Sequence, residues 1–244
     1  MNWVDITLIG LAAGTVGTGL GGGFAFIFSK PTDKALGVML GLSAGVMASI
    51  IFMELLQEAL AISFIYTSIG LLLGILIFIF FDNNLPHNHF VSENTDREKY
   101  VKKGVLIATG IALHNLPEGI AIGAGFASSP KMGTALAVLI AVHNIPEGIA
   151  VAFPLLMGGL RRSKTLGITL VAGLPMGLGA LLGALFGGIS FSFLSLSLGF
   201  AAGAMLYVVC DELIPDVYKL CSAHNAILGV SAGILIGMAM VHFL

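Results

Sequence analysis

Eight stretches of this chain, 4–27, 34–56, 62–81, 103–127, 133–157, 165–188, 192–214 and 223–243, are apolar enough and long enough to cross a membrane. Each reaches the roughly 20 residues that an α-helix needs to traverse a hydrocarbon layer about 30 Å thick. Backbone in lipid must satisfy its own hydrogen bonds, so runs of this length are read as helices. Hydrophobic residues make up 57% of the 244 residues and charged residues 10%, and the mean hydropathy of +1.01 lies far from that of a soluble domain. The expectation is an all-α integral membrane protein forming one domain, residues 1–244, with a polar cytoplasmic loop at about 83–102.

The basic residues orient it. Lys and Arg in short loops concentrate on the cytoplasmic side. With both termini outside, Lys30, Lys34, Arg97, Lys99, Lys102, Lys103, Arg161, Arg162, Lys164 and Lys219 fall inside and only Lys131 outside. A seven-span or nine-span reading breaks that alternation. The opening MNWVDITLIG has no basic residue ahead of its apolar run, so it is read as the first span and not as a cleaved leader. Two cysteines, Cys210 and Cys221, make no disulfide framework, and a net charge of −2 points to no nucleic-acid partner.

The chain repeats itself. GLSAGVMASIIFMELL (41–56) matches GFAAGAMLYVVCDELI (199–214), ITLIGLAAGTVGTGLGGGF (6–24) resembles ITLVAGLPMGLGALLGALF (168–186), and GILI occurs at 74 and at 233. Spans one to three thus echo spans six to eight. Five steps separate equivalent spans, an odd number, so the two triplets run oppositely: a 3+2+3 inverted repeat around spans four and five. Carriers built this way hold their cargo near the midplane, at the interface between repeats.

The central pair carries the chemistry. HNLPEGIAIG (114–123) and HNIPEGIAVA (143–152) each set a histidine and a glutamate four residues apart, on one helix face. Pro117 and Pro146 withhold an N–H from the carbonyls of Leu113 and Val142. If the linker SSPKMGT (128–134) turns a simple hairpin, His114 lies level with Glu147 and Glu118 with His143, the two levels about 6 Å apart. Two imidazoles and two carboxylates then share a small volume, and Asn115 and Asn144 can add amide oxygens. That donor set suits zinc, iron, manganese, cobalt or cadmium. The plainer alternative, polar groups that only join two helices, is disfavoured because ionisable residues at mid-span are costly and usually functional.

The paired HNxPEG stretches, eight spans and inverted triplets, with LPHNH after span three and DELIP in span seven, resemble the ZIP (Zrt/Irt-like) family of divalent metal transporters. The likeness is closest to its bacterial ZupT-type members. It implies ATP-independent uptake of metal across the inner membrane, zinc foremost as cargo, no catalytic cofactor, a homodimer, and His114, Asn115, Glu118, His143, Asn144 and Glu147 as ligands. One departure stands out. GLPMGLG puts Met176 where such members commonly carry a span-six glutamate, so a single bound ion is expected.

Glu54, Asp211 and Glu212 occupy matching places near the ends of spans two and seven and are candidate pathway residues. His87 and His89, in LPHNHF, resemble the histidine-bearing loop of the family and are candidates for metal capture. The rival class, an intramembrane metal-dependent hydrolase, would need an open coordination position and a general base, and no HExxH or G-x-S-x-G stretch is present. A carrier, not an enzyme, is the expectation.

Overall fold

The structure, a computed structural model, describes residues 1–27, 32–84 and 96–243, which contain helices and no strand. Among these described residues, eight helices are long and apolar enough to span a membrane. In chain order they are α1 (Trp3–Phe24), α2 (Asp33–Ile62), α3 (Phe64–Phe81), α4 (Arg97–Ser128), α5 (Pro130–Met157), α6 (Arg162–Gly187), α7 (Phe191–Leu220) and α8 (Ala223–Phe243). His87 and His89 lie outside the described residues.

Local chemistry sets the helix starts. The side chains of Asn2, Thr32, Ser129 and Ser190 each accept a hydrogen bond from a backbone N–H three residues on, occupying donors that the first helical turn leaves unpaired. Ser129 is the one residue between α4 and α5, so the central pair is a tight hairpin. Helical structure before α4 already begins at Asp96, inside the stretch expected as a loop.

Burial ranks the helices. The most apolar stretch of α5 is 78% buried, against 22% for α3 and for α8. The central helix is therefore α5, and α3 and α8 are peripheral. Packing follows the repeat: α1 lies on α5 as α6 lies on α4, and α8 on α2 as α3 on α7. Each statement becomes the other when spans one to three are exchanged for six to eight and four for five.

Glycine contacts give the register of that exchange. A Cβ on Gly21 of α1 would strike the carbonyl of Ile145 and the backbone of Gly148, and one on Gly179 of α6 would strike the carbonyl of Leu116 and the backbone of Gly119. Likewise Gly74 abuts the carbonyl of Phe200 and Gly233 that of Leu42. Residue n of α1 or α2 thus matches n + 158 in α6 or α7, while n in α4 matches n + 29 in α5. The alignment of 6–24 with 168–186 is one helical turn out of this register. Glycines three and four apart give similar matches after a one-turn slip, whereas backbone contact admits one register.

Both α2 and α7 run past their sequence-expected ends, and each contains a π-helical turn, Ile50–Leu55 and Val209–Leu213. These turns hold Glu54, Asp211 and Glu212. The three carboxylates therefore sit inside the helices, not at their ends.

Candidate metal centre

The central hairpin brings Glu118 of α4 against His143 and Glu147 of α5. Nε2 of His143 is 2.9 Å from Oε1 of Glu118 and 3.8 Å from Oε1 of Glu147. One ligand atom from each of the three lies within 4.8 Å of the other two, and all three residues have zero solvent exposure. Ligands about 2.0–2.2 Å from a tetrahedral ion are roughly 3.4 Å apart, so the observed spacings bracket what a shared cation needs.

Satisfaction of the donor atoms points the same way. Among the described residues, Oε2 of Glu118 and Oε2 of Glu147 are buried with no hydrogen-bond partner, and buried polar atoms normally have one. Carboxylate oxygens without donors, beside an imidazole in a fully buried site, need a cation or a proton. The set of two carboxylates and one imidazole has the donor chemistry for a borderline dication.

Span two adds a residue that sequence reasoning missed. Oγ of Ser43 lies 3.1 Å from the carbonyl oxygen of His143 and 3.4 Å from Oε1 of Glu147, tying α2 to the triad through a single hydroxyl proton. A signal existed: Ser43 aligns with Ala201, a polar difference inside otherwise matching small-residue stretches, GLSAG and GFAAG.

The other anticipated residues distribute around this centre. His114 is buried but turns to α7, where its Nε2 is 2.8 Å from Oε2 of the half-exposed Glu212. Asn115 donates to the carbonyl of Ala172 on α6 and accepts from Nδ2 of Asn144, at 2.9 and 3.1 Å. The amide oxygen of Asn115 is therefore engaged, while that of Asn144 is buried with no hydrogen-bond partner among the described residues. Met176 has zero exposure and sets its Cβ against Gly14, and its carbonyl meets Gly119. Asp211 is exposed and accepts from the hydroxyl of Tyr207 at 3.2 Å. Glu54 is half-buried near Glu58 and Lys131, and Glu58 accepts from Ser128.

Known proteins match most of the chain. The family described as ZIP zinc transporter matches residues 86–244. A zinc transporter ZupT of Akkermansia muciniphila is 36% identical over 260 residues, 96% of this chain and 94% of the relative. One of Stenotrophomonas maltophilia is 29% identical over 249 residues, 95% and 92% of the two chains. The zinc transporter GufA of Myxococcus xanthus is 32% identical over 174 residues, 70% of this chain and 68% of its own. With its eight spanning helices, the chain belongs to the ZIP family and to its ZupT-type branch.

Proposed function

We propose that the protein carries divalent metal ions, zinc first and iron, manganese, cobalt or cadmium by the same donor chemistry, into the cytoplasm through the Glu118–His143–Glu147 centre halfway along α4 and α5. The single observation that carries this reading is the convergence of three buried ligand atoms within 4.8 Å, with carboxylate oxygens left over. The names of the relatives, all transporters of zinc, agree with it.

Each residue has a task in this reading. Glu118 and Glu147 neutralise the dication and replace part of its water shell, and His143 adds a borderline nitrogen that favours zinc over magnesium or calcium. Ser43 holds Glu147 and the α5 backbone in place. The amide oxygen of Asn144 is a further ligand within the same stretch, and Asn115 fixes α4 and α5 to α6. His114 and Glu212, with Asp211 beside them, form the route toward the cytoplasm, and Glu54 the approach from outside. Met176 supplies no charge where a second ion would need one, so one ion occupies the centre at a time. Both termini face outward from the inner membrane, because that orientation keeps ten of eleven basic residues on the cytoplasmic side.

The test is uptake of radioactive zinc into proteoliposomes by the parent chain and by Glu118→Ala and Glu147→Ala. The parent is expected to accumulate metal and both variants to fall to the background of empty vesicles. Variants as active as the parent would overturn the site, and a parent that moves no metal would overturn the function.

A further inference from the structure

The exchange of halves described above is also a test of which contacts the present conformation favours. It carries Glu212 onto Glu54, both inside π-helical turns, through the n + 158 register, and His114 onto His143 through the n + 29 register. Applied to the pair His114–Glu212, 2.8 Å apart, it yields His143–Glu54. Applied to His143–Glu118, 2.9 Å apart, it yields His114–Glu147. Among the described residues neither image pair is formed. The backbone therefore obeys the symmetry and the polar contacts break it.

We propose that Glu54 is the outward counterpart of Glu212. In the opposite access state it pairs with His143, while His114 moves in beside Glu118 and Glu147. This rests on the carrier reading, in which one repeat rocks or gates against the other around a fixed site; because the two repeats are inverted copies, exchanging their conformations generates the opposite access state. The contacts absent now are then the contacts present after the exchange. In both states the ion keeps two carboxylates and one imidazole, but the imidazole alternates between α5 and α4. The histidine away from the ion is held by a carboxylate on the side it faces, Glu212 in one state and Glu54 in the other.

Two features make the exchange specific. A π turn inserts an extra residue into the helix and re-aims its side chains, and the two such turns in the described chain carry these two glutamates. Ser43 has no image, since Ala201 offers no hydroxyl, so its hydrogen bonds to His143 and Glu147 exist only in the present state. One net hydrogen bond biases the resting population toward that state by about fivefold.

The experiment replaces Cys210 and Cys221 by serine and introduces cysteine pairs at 143 with 54, at 114 with 212, and at 114 with 54 as control. Protein in proteoliposomes is treated with mercuric ion, which bridges adjacent thiols, then alkylated and weighed by mass spectrometry. Protection from alkylation is expected for the first two pairs and not for the control, and Ser43→Ala is expected to raise the protected fraction of 143 with 54. Protection of 114 with 212 without 143 with 54, or of neither pair, overturns the proposal, whether or not the parent transports metal. As a second readout, Glu54→Gln in the otherwise native chain is expected to slow uptake about tenfold, the effect of losing one charge-assisted hydrogen bond, with metal affinity of the centre unchanged. An unchanged uptake rate also overturns it.

Discussion

Replacing Glu118 by glutamine separates what the triad does for the metal from what it does for the fold. The substitution keeps volume and shape, so packing in the α4–α5 pair is preserved. In the proposed metal-bound state it removes one of the two carboxylates that would face the ion in a site with zero exposure. Removing one partner of a buried charge pair costs about 3–5 kcal/mol, which at 1.4 kcal/mol per tenfold is roughly a hundredfold to a few thousandfold in dissociation constant. In the metal-free protein the sign reverses. Two carboxylates hold one imidazole from 2.9 and 3.8 Å, and neutralising one of them relieves like-charge repulsion.

The assay is thermal unfolding of purified protein with and without cadmium or zinc. At a metal concentration of 100 times the parent dissociation constant, binding stabilises the parent by about 2.7 kcal/mol. For a variant bound a hundredfold more weakly the same concentration gives about 0.4 kcal/mol. Glu118→Gln should therefore unfold at or above the parent temperature without metal and show almost no metal-dependent shift. Undiminished metal stabilisation, or a large loss of metal-free stability, would refute the assignment of Glu118 as an ion ligand.

Three further outcomes are expected. Ser43→Ala leaves the carboxylate of Glu147 less firmly placed and weakens metal binding by about 1.5–3 kcal/mol, the range for a hydrogen bond to a charged group, read by titration calorimetry; an unchanged affinity would remove Ser43 from the site. Gly148→Val forces α5 away from the carbonyl of Thr18 on α1 and destabilises the protein by about 1–3 kcal/mol or more, whereas Gly167→Ala, with open space around it, raises stability by up to about 1 kcal/mol; chromatography in detergent after graded heating distinguishes the two. The chain binds one equivalent of zinc, measured by elemental analysis after equilibrium dialysis, and two equivalents would show that Met176 does not limit the centre.

How much of this was legible in the sequence depended on the type of signal. Span count was, because each run had to cover a fixed hydrocarbon thickness and the basic residues alternated with it. The level pairing of Glu118 with His143 was, because Glu118 lies 13 residues before Lys131 and His143 lies 12 after it, so a short linker between two helices puts them at one depth. His114 was not, because the sequence gives its depth on α4 but not which neighbour it meets, and the contact with Glu212 depends on how α7 packs against α4. The π turns escaped for a similar reason: an extra residue in a helix leaves no mark on an apolar run and shows only as a helix that extends further, to Ile62 and to Leu220.

The repeat shows what packing adds to pattern. In an apolar helix a glycine every few residues is compatible with several registers, and the match of 6–24 with 168–186 took one a turn away from that of the fold. What selects among them is contact at van der Waals range, where Gly21 accepts the carbonyl of Ile145 as Gly179 accepts that of Leu116. Lipid supplies no hydrophobic drive between helices, so such close backbone approach is a main source of association. It must also survive any movement of the two halves. The glycine seams are symmetric under the exchange and the histidine contacts are not, so under the proposed exchange the apolar framework would serve both access states while the polar groups at its centre would distinguish them. Substitution at a seam should then lower stability in either state, and substitution at Ser43, Glu54 or Glu212 should shift the balance between states at nearly constant stability.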